Sequence, residues 1–386
     1  MSAVAAGTSD ARVTPAEQPV LDARFTKLAR AERLLPIKVT PFFRKKIDAE
    51  VAALGHTEGP LHRMVYPTRE RLTLRAPGEV RDWVDDRDNM PGSSSGAIVQ
   101  KYADRVLFMP TSTCAAHCQY CFRQDVLSGW EARGLAAVDA AMEELLAHLD
   151  QHPATREVIL SGGDPMTLPI KALARILEPL ASHPQLNSLR LHTKTIAFAP
   201  AVFDDPAKRA LLAAAKVRLV FHFAHPYELC ERVRGTIAAL RADGIRCYNQ
   251  FPLLRNINDH AELLSEHLTL LDELEVRNLS VFMPEPIVGS APFRVPFGRF
   301  EQLADTLNRT TPSWINATRF VLDTPVGKVR REDVVARDPA AGTITFRRDG
   351  RTIDYPDFPA ALDRPGKLST LLWRRQGTPG RHEPGP

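Results

Sequence analysis

From Lys101 to Arg309 the chain alternates short runs of β-branched and apolar residues with longer stretches in which leucine and alanine recur every three or four positions. The short runs are Arg105–Pro110, Val158–Ser161, Ser188–His192, Arg218–Phe223, Arg246–Phe251 and Asn278–Met283. They predict strands, and the stretches between them, such as Gly134–Leu149 and Leu263–Leu274, predict amphipathic helices. Six such βα units imply an α/β fold, a parallel sheet curled into a partial (β/α)6 barrel. Barrels of this kind carry their reactive groups at the C-terminal ends of the strands. The chemically distinctive residues fall there: a cysteine loop follows the first strand, and Gly162-Gly163-Asp164-Pro165 follows the second.

The remaining sequence frames this barrel. Residues 1–100 read as a mainly helical N-terminal extension with a disordered start (Met1–Pro19), 101–310 as the barrel, 311–374 as a C-terminal cap and 375–386 as a disordered tail, with Gly377–Pro386 rich in proline and glycine. In the cap, the runs Val329–Val335, Thr343–Arg348 and Thr352–Tyr355 are separated by turn residues and predict a small hairpin unit lying over a cofactor. A composition of 44% hydrophobic and 25% charged residues is that of an ordinary globular protein. The net charge of +4 spread over 386 residues implies no concentrated basic face, and an aromatic-interleaved basic stretch is missing, so nucleic acid is not implied. No apolar run reaches membrane-spanning length, and the expected location is cytoplasmic.

Three of the five cysteines lie within eight residues, as Cys114-Ala-Ala-His-Cys118-Gln-Tyr-Cys121. Structural zinc is closed by four protein ligands, and a 4Fe–4S cluster normally by four thiolates. A triad leaves one iron of a cluster open to an exogenous ligand, and chemistry can take place there. Two other readings are a disulfide framework, which a long chain with few cysteines does not favour, and a zinc site completed by His117 or a distant ligand. Cys230 and Cys247 stand alone, as small buried hydrophobes do. One βα unit later, Gly162 and Gly163 follow a strand directly, where backbone without side chains can approach a ligand closely, and Asp164 could hold a cationic ammonium.

The triad spacing, with Tyr120 before the last cysteine, resembles the radical S-adenosylmethionine (SAM) superfamily. A collinear set of segments narrows the resemblance to the lysine 2,3-aminomutase family: Lys101–Leu107, Cys121-Phe-Arg123, Leu160–Asp164, His222–Pro226, Asn249-Gln250 with Leu253–Asp259, Gly289–Arg294, and Val321–Lys328. The set spans about residues 101–328. What it implies is a radical SAM partial barrel holding a 4Fe–4S cluster on Cys114, Cys118 and Cys121, and SAM against Tyr120, Gly162, Gly163 and Asp164. Pyridoxal 5′-phosphate (PLP) is implied on Lys328, with its phosphate bound by Lys101 and Arg105. The physical need for PLP is that a migrating amino group requires a carrier that can bridge two carbons as a radical. The implied activity is an isomerase reaction converting an α-amino acid to its β-isomer, started by electron transfer from a flavodoxin- or ferredoxin-type donor.

For the substrate, the resemblance assigns its carboxylate to Arg123 and its side-chain ammonium to Asp323 and Glu285. Two carboxylates beside an apolar radical pocket favour a basic amino acid, lysine or arginine, because a cation must offset their burial. The chain departs from the family in three places. Glu285 stands where the family has aspartate, the Thr324–Lys328 loop is shorter and less glycine-rich, and the C-terminal cysteines that bind zinc at a subunit contact are missing. A homo-oligomer would therefore need another contact. Two other functions fit the same residues: a radical SAM reaction without PLP, and a non-catalytic iron–sulfur or zinc-binding protein.

Overall fold

The computed structural model describes residues 12–91, 95–128 and 135–375. Nine strands form one sheet in sequence order: β1 (Ile98–Tyr102), β2 (Arg105–Thr111), β3 (Glu157–Gly162), β4 (Ser188–Thr193), β5 (Arg218–Phe221), β6 (Arg246–Pro252), β7 (Arg277–Phe282), β8 (Arg319–Thr324) and β9 (Gly327–Val329). The pairs from β2 to β8 are all parallel, while β1 and β9 add antiparallel edges. Six helical crossovers thus join seven parallel strands into a partial barrel. The six predicted strands are present, and β8 extends the parallel sheet by one strand that the sequence pattern had assigned to the cap.

The strands alternate faces, which sorts their residues cleanly. Val158 and Leu160 of β3, Leu191 of β4 and Leu219 of β5 point outward, into a core built with Val138 and Leu145 of the helix Leu135–Gln151, Leu173 and Ile176 of Ile170–Ser182, and Ile237 of Glu231–Ala242. Positions 173, 176, 177 and 180 recur on one helical face, and all four side chains are buried. Each such side chain contributes roughly 1.5–3 kcal/mol by leaving water. The opposite, concave face carries the polar positions Glu157, Ser161, Arg190 and His192.

The N-terminal extension is helical over Gln18–Glu32, Pro41–Leu54, Pro60–Val65 and Arg69–Thr73. A second core joins it to the far side of the barrel and to the cap through Phe43, Leu61, Phe251, Leu264, Phe346 and Tyr355. The cap is a separate antiparallel sheet, β10 (Val334–Asp338), β11 (Thr343–Arg348) and β12 (Arg351–Pro356). The expected strand Val329–Val335 is in fact two. Val329 ends β9, a 3-10 turn covers Arg331–Asp333, and β10 begins at Val334, because Asp333 accepts the Arg330 N–H and turns the chain. Of the two expected disordered ends, Gly377–Pro386 lies outside the described residues, as do residues 1–11 of Met1–Pro19; the first helix already begins at Gln18.

Candidate active site

The cysteine loop leaves the C-terminal end of β2 and is fastened from outside by the N-terminal extension. Lys38 Nζ donates to Cys114 O (2.6 Å), His117 N to Lys38 O (2.9 Å) and Gln119 N to Met64 O (2.8 Å). His117 Nδ1 lies 2.7 Å from Pro36 O, so this histidine serves the loop's anchorage. From inside, β3 presses against the same loop. A side chain on Gly163 would meet Thr113 O at 2.5 Å and Ser112 C at 2.6 Å; one on Gly162, where φ is +97°, would meet Met109 Cβ at 2.7 Å. The two glycines are therefore required by the approach of neighbouring backbone, not by an open cradle.

All five cysteines are free thiols. Burial raises the pKa of Cys114, that of Cys118 to about 11 and that of Cys121 to about 12, and the thiols raise one another further where they face. Groups so reluctant to ionise become thiolates at neutral pH only beside a metal cation. Among the described residues, no three His, Cys, Asp or Glu side chains converge as the ligands of a single ion would. An iron–sulfur cluster makes no such demand, because each thiolate meets a different iron. Tyr120 packs its buried hydroxyl beside Cys118 and its ring edge-on against Phe293 (5.9 Å).

Asp164 is placed differently from its expected role. Its carboxylate accepts from Met166 N (3.1 Å), Thr193 Oγ1 (3.0 Å), Lys194 N (2.8 Å) and Thr195 N (2.8 Å), tying the end of β3 to the end of β4. Four donors leave it little capacity for a ligand's ammonium. Next to it is a buried ion pair the sequence did not reveal: Lys194 Nζ lies 2.5 Å from Glu228 and donates to His222 O (2.6 Å).

A second group of charges occupies the concave face beyond Cys121. Its centre is Asp86, only 3% exposed at its side chain, whose carboxylate contacts Arg123 Nε at 2.7 Å and Lys101 Nζ at 3.3 Å. Burial alone would raise Asp86's pKa, but the two cations outweigh it and hold the pKa below the usual carboxylate value. Nothing in the sequence singled out Asp86, since the run Asp82–Asp88 looks like solvated loop. Arg123 keeps its terminal nitrogens in hand, with Nη1 only loosely at Ser161 Oγ (3.4 Å).

Lys101 and Arg105 lie on β1 and β2, either side of the hairpin turn. Lys101 is committed to Asp86 and to Val84 O. Arg105 instead stacks on the Tyr102 ring, 4.4 Å from its centroid, and pairs with Asp104 at 2.9 Å. The Tyr102 hydroxyl in turn accepts the Lys328 N–H (3.1 Å).

Lys328 is likewise not in a loop. Residues 324–327 form a tight turn closed by Thr324 Oγ1 on Gly327 O (2.6 Å), and Lys328 sits on β9 directly opposite Asp323 of β8. Its ammonium lies 5.0 Å above the Phe282 ring. Burial lowers its pKa, and Arg190, Arg105 and Arg319 lower it further against the pull of Asp323. Glu285 is buried, and burial with help from Asp323 pushes its pKa up to about 8. Among the described residues neither Glu285 nor Asp323 forms an ion pair with an arginine or lysine. The fields of these groups overlap: Arg123 and Glu285 both act on Cys121, and Asp323, which faces Lys328, acts on Arg123. The cysteines, Arg123, Glu285, Asp323 and Lys328 thus lie towards the C-terminal end of the barrel, whereas Arg105 lies at the opposite end of β2. His192 and His222, which the sequence did not flag as site residues, also line it, their rings 5.3 Å apart and each with a buried, unpartnered Nε2.

Known proteins resemble this chain over much of its length. Residues 104–217 match the model of a 4Fe–4S single cluster domain. A protein of Aquifex aeolicus provisionally named L-lysine 2,3-aminomutase is 27% identical over 321 residues, covering 80% of this chain and 83% of its own. The L-lysine 2,3-aminomutase of Escherichia coli is 27% identical over 69% of this chain and 74% of its own, and that of Clostridium subterminale 25% identical over 78% and 69%. No helix among the described residues is long and apolar enough to cross a membrane. With a cluster-domain match over the cysteine loop and relatives aligned over most of its length, the chain is related to the lysine 2,3-aminomutases of the radical SAM superfamily.

Proposed function

We propose that the protein is a PLP-dependent 2,3-aminomutase acting on a basic amino acid, lysine or arginine. The observation that carries this reading is the grouping of the cysteine loop, of Arg123 held by Asp86, and of the buried amine of Lys328 opposite Asp323 on one concave face. Cys114, Cys118 and Cys121 would hold a 4Fe–4S cluster, and the backbone at Gly162–Asp164 would border SAM on its open iron. That pair supplies the radical that takes a hydrogen from the substrate. Lys328 would hold PLP, which supplies a carrier for the migrating nitrogen.

The rest follows from this chain's own groups. Burial, which lowers the pKa of Lys328, favours its neutral, nucleophilic amine relative to that of an exposed lysine. The free end of the Arg123 guanidinium suits a carboxylate, with Asp86 fixing the plane of the fork through Nε. A substrate fixed there presents one Cβ hydrogen to the cluster side. Glu285, buried, and Asp323, half-buried, form no ion pair among the described residues and would be completed by a substrate's ammonium or guanidinium. The added methylene of Glu285 shortens the side chain that fits between it and Arg123.

The test is anaerobic reconstitution with iron, sulfide, PLP and SAM, followed by reduction and exposure to a panel of amino acids. A β-isomer from lysine or arginine is expected, and Lys328→Ala should lose both product and the borohydride-stable PLP mass on its peptide. SAM-dependent turnover in enzyme lacking PLP would instead indicate a different radical reaction. Lack of product from every basic amino acid would overturn the substrate assignment.

A further inference from the structure

The parallel strands begin with arginines to an extent hidden in the linear sequence, which shows no basic tract. Arg105, Arg218, Arg246, Arg277 and Arg319 are the first residues of β2, β5, β6, β7 and β8, and Arg190 is the third of β4. Register places them on one face. Arg190, Arg218 and Arg246 are direct neighbours on successive strands, while the residues after them, Leu191, Leu219 and Cys247, all enter the outer core. Arg277 pairs with Tyr248 and Arg319 with Ser280, which continue the same concave face.

Like charges abreast on adjacent strands repel. Yet Glu157 is the one strand carboxylate at this level, and it is shared between Arg190 and Ser188, with Arg218 Nη1 donating to the same Ser188 hydroxyl (3.0 Å). No ion pair among the described residues includes Arg218, Arg246, Arg277 or Arg319. Three of these, Arg246, Arg277 and Arg319, are exposed, so the ring opens to solvent at the N-terminal mouth of the barrel, opposite the cysteines.

We propose that this mouth is a binding site for a phosphate-class dianion, with Arg190, Arg218 and Arg246 as its core and Arg319 at its rim. Guanidinium groups in a half-enclosed, water-reachable ring suit a tetrahedral oxyanion with several acceptors. The ligand's phosphate has two sources. It can be the 5′-phosphate of a cofactor reaching down from Lys328, whose ammonium already feels Arg190 and Arg319, or it can belong to a separate phosphorylated molecule. The site itself does not depend on the radical chemistry.

The test uses inorganic phosphate and the full chain at constant ionic strength, reading thermal stabilisation and titration calorimetry. Phosphate should bind more tightly than chloride, and Arg218→Ala with Arg246→Ala should weaken binding at least tenfold while circular dichroism is unchanged. Arg246→Lys should fall in between. If the source is the cofactor, PLP competes with phosphate, and Arg246→Ala weakens borohydride trapping of PLP at Lys328 but not that of pyridoxal. If it is a separate molecule, phosphate binds PLP-loaded protein equally well, and either outcome supports the site. Phosphate binding that ignores the arginine substitutions, or that chloride reproduces, overturns it.

Discussion

Asp86 is a buried carboxylate shared by two cations. It neutralises two buried cations at once, Arg123 and Lys101, and is itself almost fully enclosed. Removing one partner of a buried ionic group leaves the others uncompensated, which costs about 3–5 kcal/mol. Asp86→Asn should therefore lower unfolding stability in urea by that order. Because the folded pKa of Asp86 lies below its unfolded value, its contribution is complete above about pH 4 and is lost as pH falls through the lower, folded value. The Asn variant should lose that acid-side dependence.

Glu285 behaves in the opposite sense. Its folded pKa near 8 lies above the 4.5 of an ordinary glutamate, so between those values the folded protein holds a proton that the unfolded chain has released. Stability must then fall as pH rises, by on the order of 2–3 kcal/mol from pH 6 to 8, and level off above. Thermal melts should show this fall in the wild type and its absence in Glu285→Gln. A substrate cation seated beside Glu285 would expel the proton, so lysine or arginine should bind more tightly as pH rises towards 8, and neutral amino acids should not. Calorimetry in buffers of different ionisation enthalpy reads the released proton directly.

Among the structural elements, the ends of β2 and β3 do most to shape the site. Gly163 lies so close to Ser112 and Thr113 that a methyl group cannot be admitted without moving the strand that launches the cysteines. Overpacking of this kind costs typically 1–3 kcal/mol, and here the neighbour that must yield is backbone. Gly163→Ala should keep its helical circular dichroism but bind less than half the wild-type iron after reconstitution. The same elements show what the sequence could reveal. The alternation of apolar runs and amphipathic stretches located six strands, because outward residues such as Leu160, Leu191 and Leu219 must meet helices and leave a periodic trace. The pattern placed Lys328 in a loop because three residues of strand beside a tight turn leave no periodicity, and the pairing of Asp323 with Lys328 is made by hydrogen bonds alone. Asp86 was invisible because only the fold tells an enclosed carboxylate from its solvated neighbours Asp85 and Asp88. In sequence the glycines read as room for a ligand; the close approach of residues 109–113, which sequence cannot display, also forbids a side chain there.

At the scale of the whole molecule, three parts converge on one barrel end. The N-terminal extension grips the cysteine loop through Lys38, Pro36 and Met64, and the barrel strands bring Arg123, Glu285 and Asp323 into one field. The edge hairpin β8–β9 then delivers Lys328 to its far side. This division explains why residues far apart in sequence can serve one reaction, and why none of the parts would suffice alone. The account rests on an iron that the three cysteines leave open to SAM. The direct measurement is to reduce the anaerobically reconstituted protein with SAM present and quantify 5′-deoxyadenosine and methionine. The account predicts SAM cleavage by the wild type and none by Cys118→Ala; a protein that holds only zinc, or that cleaves SAM equally well without Cys118, would contradict it.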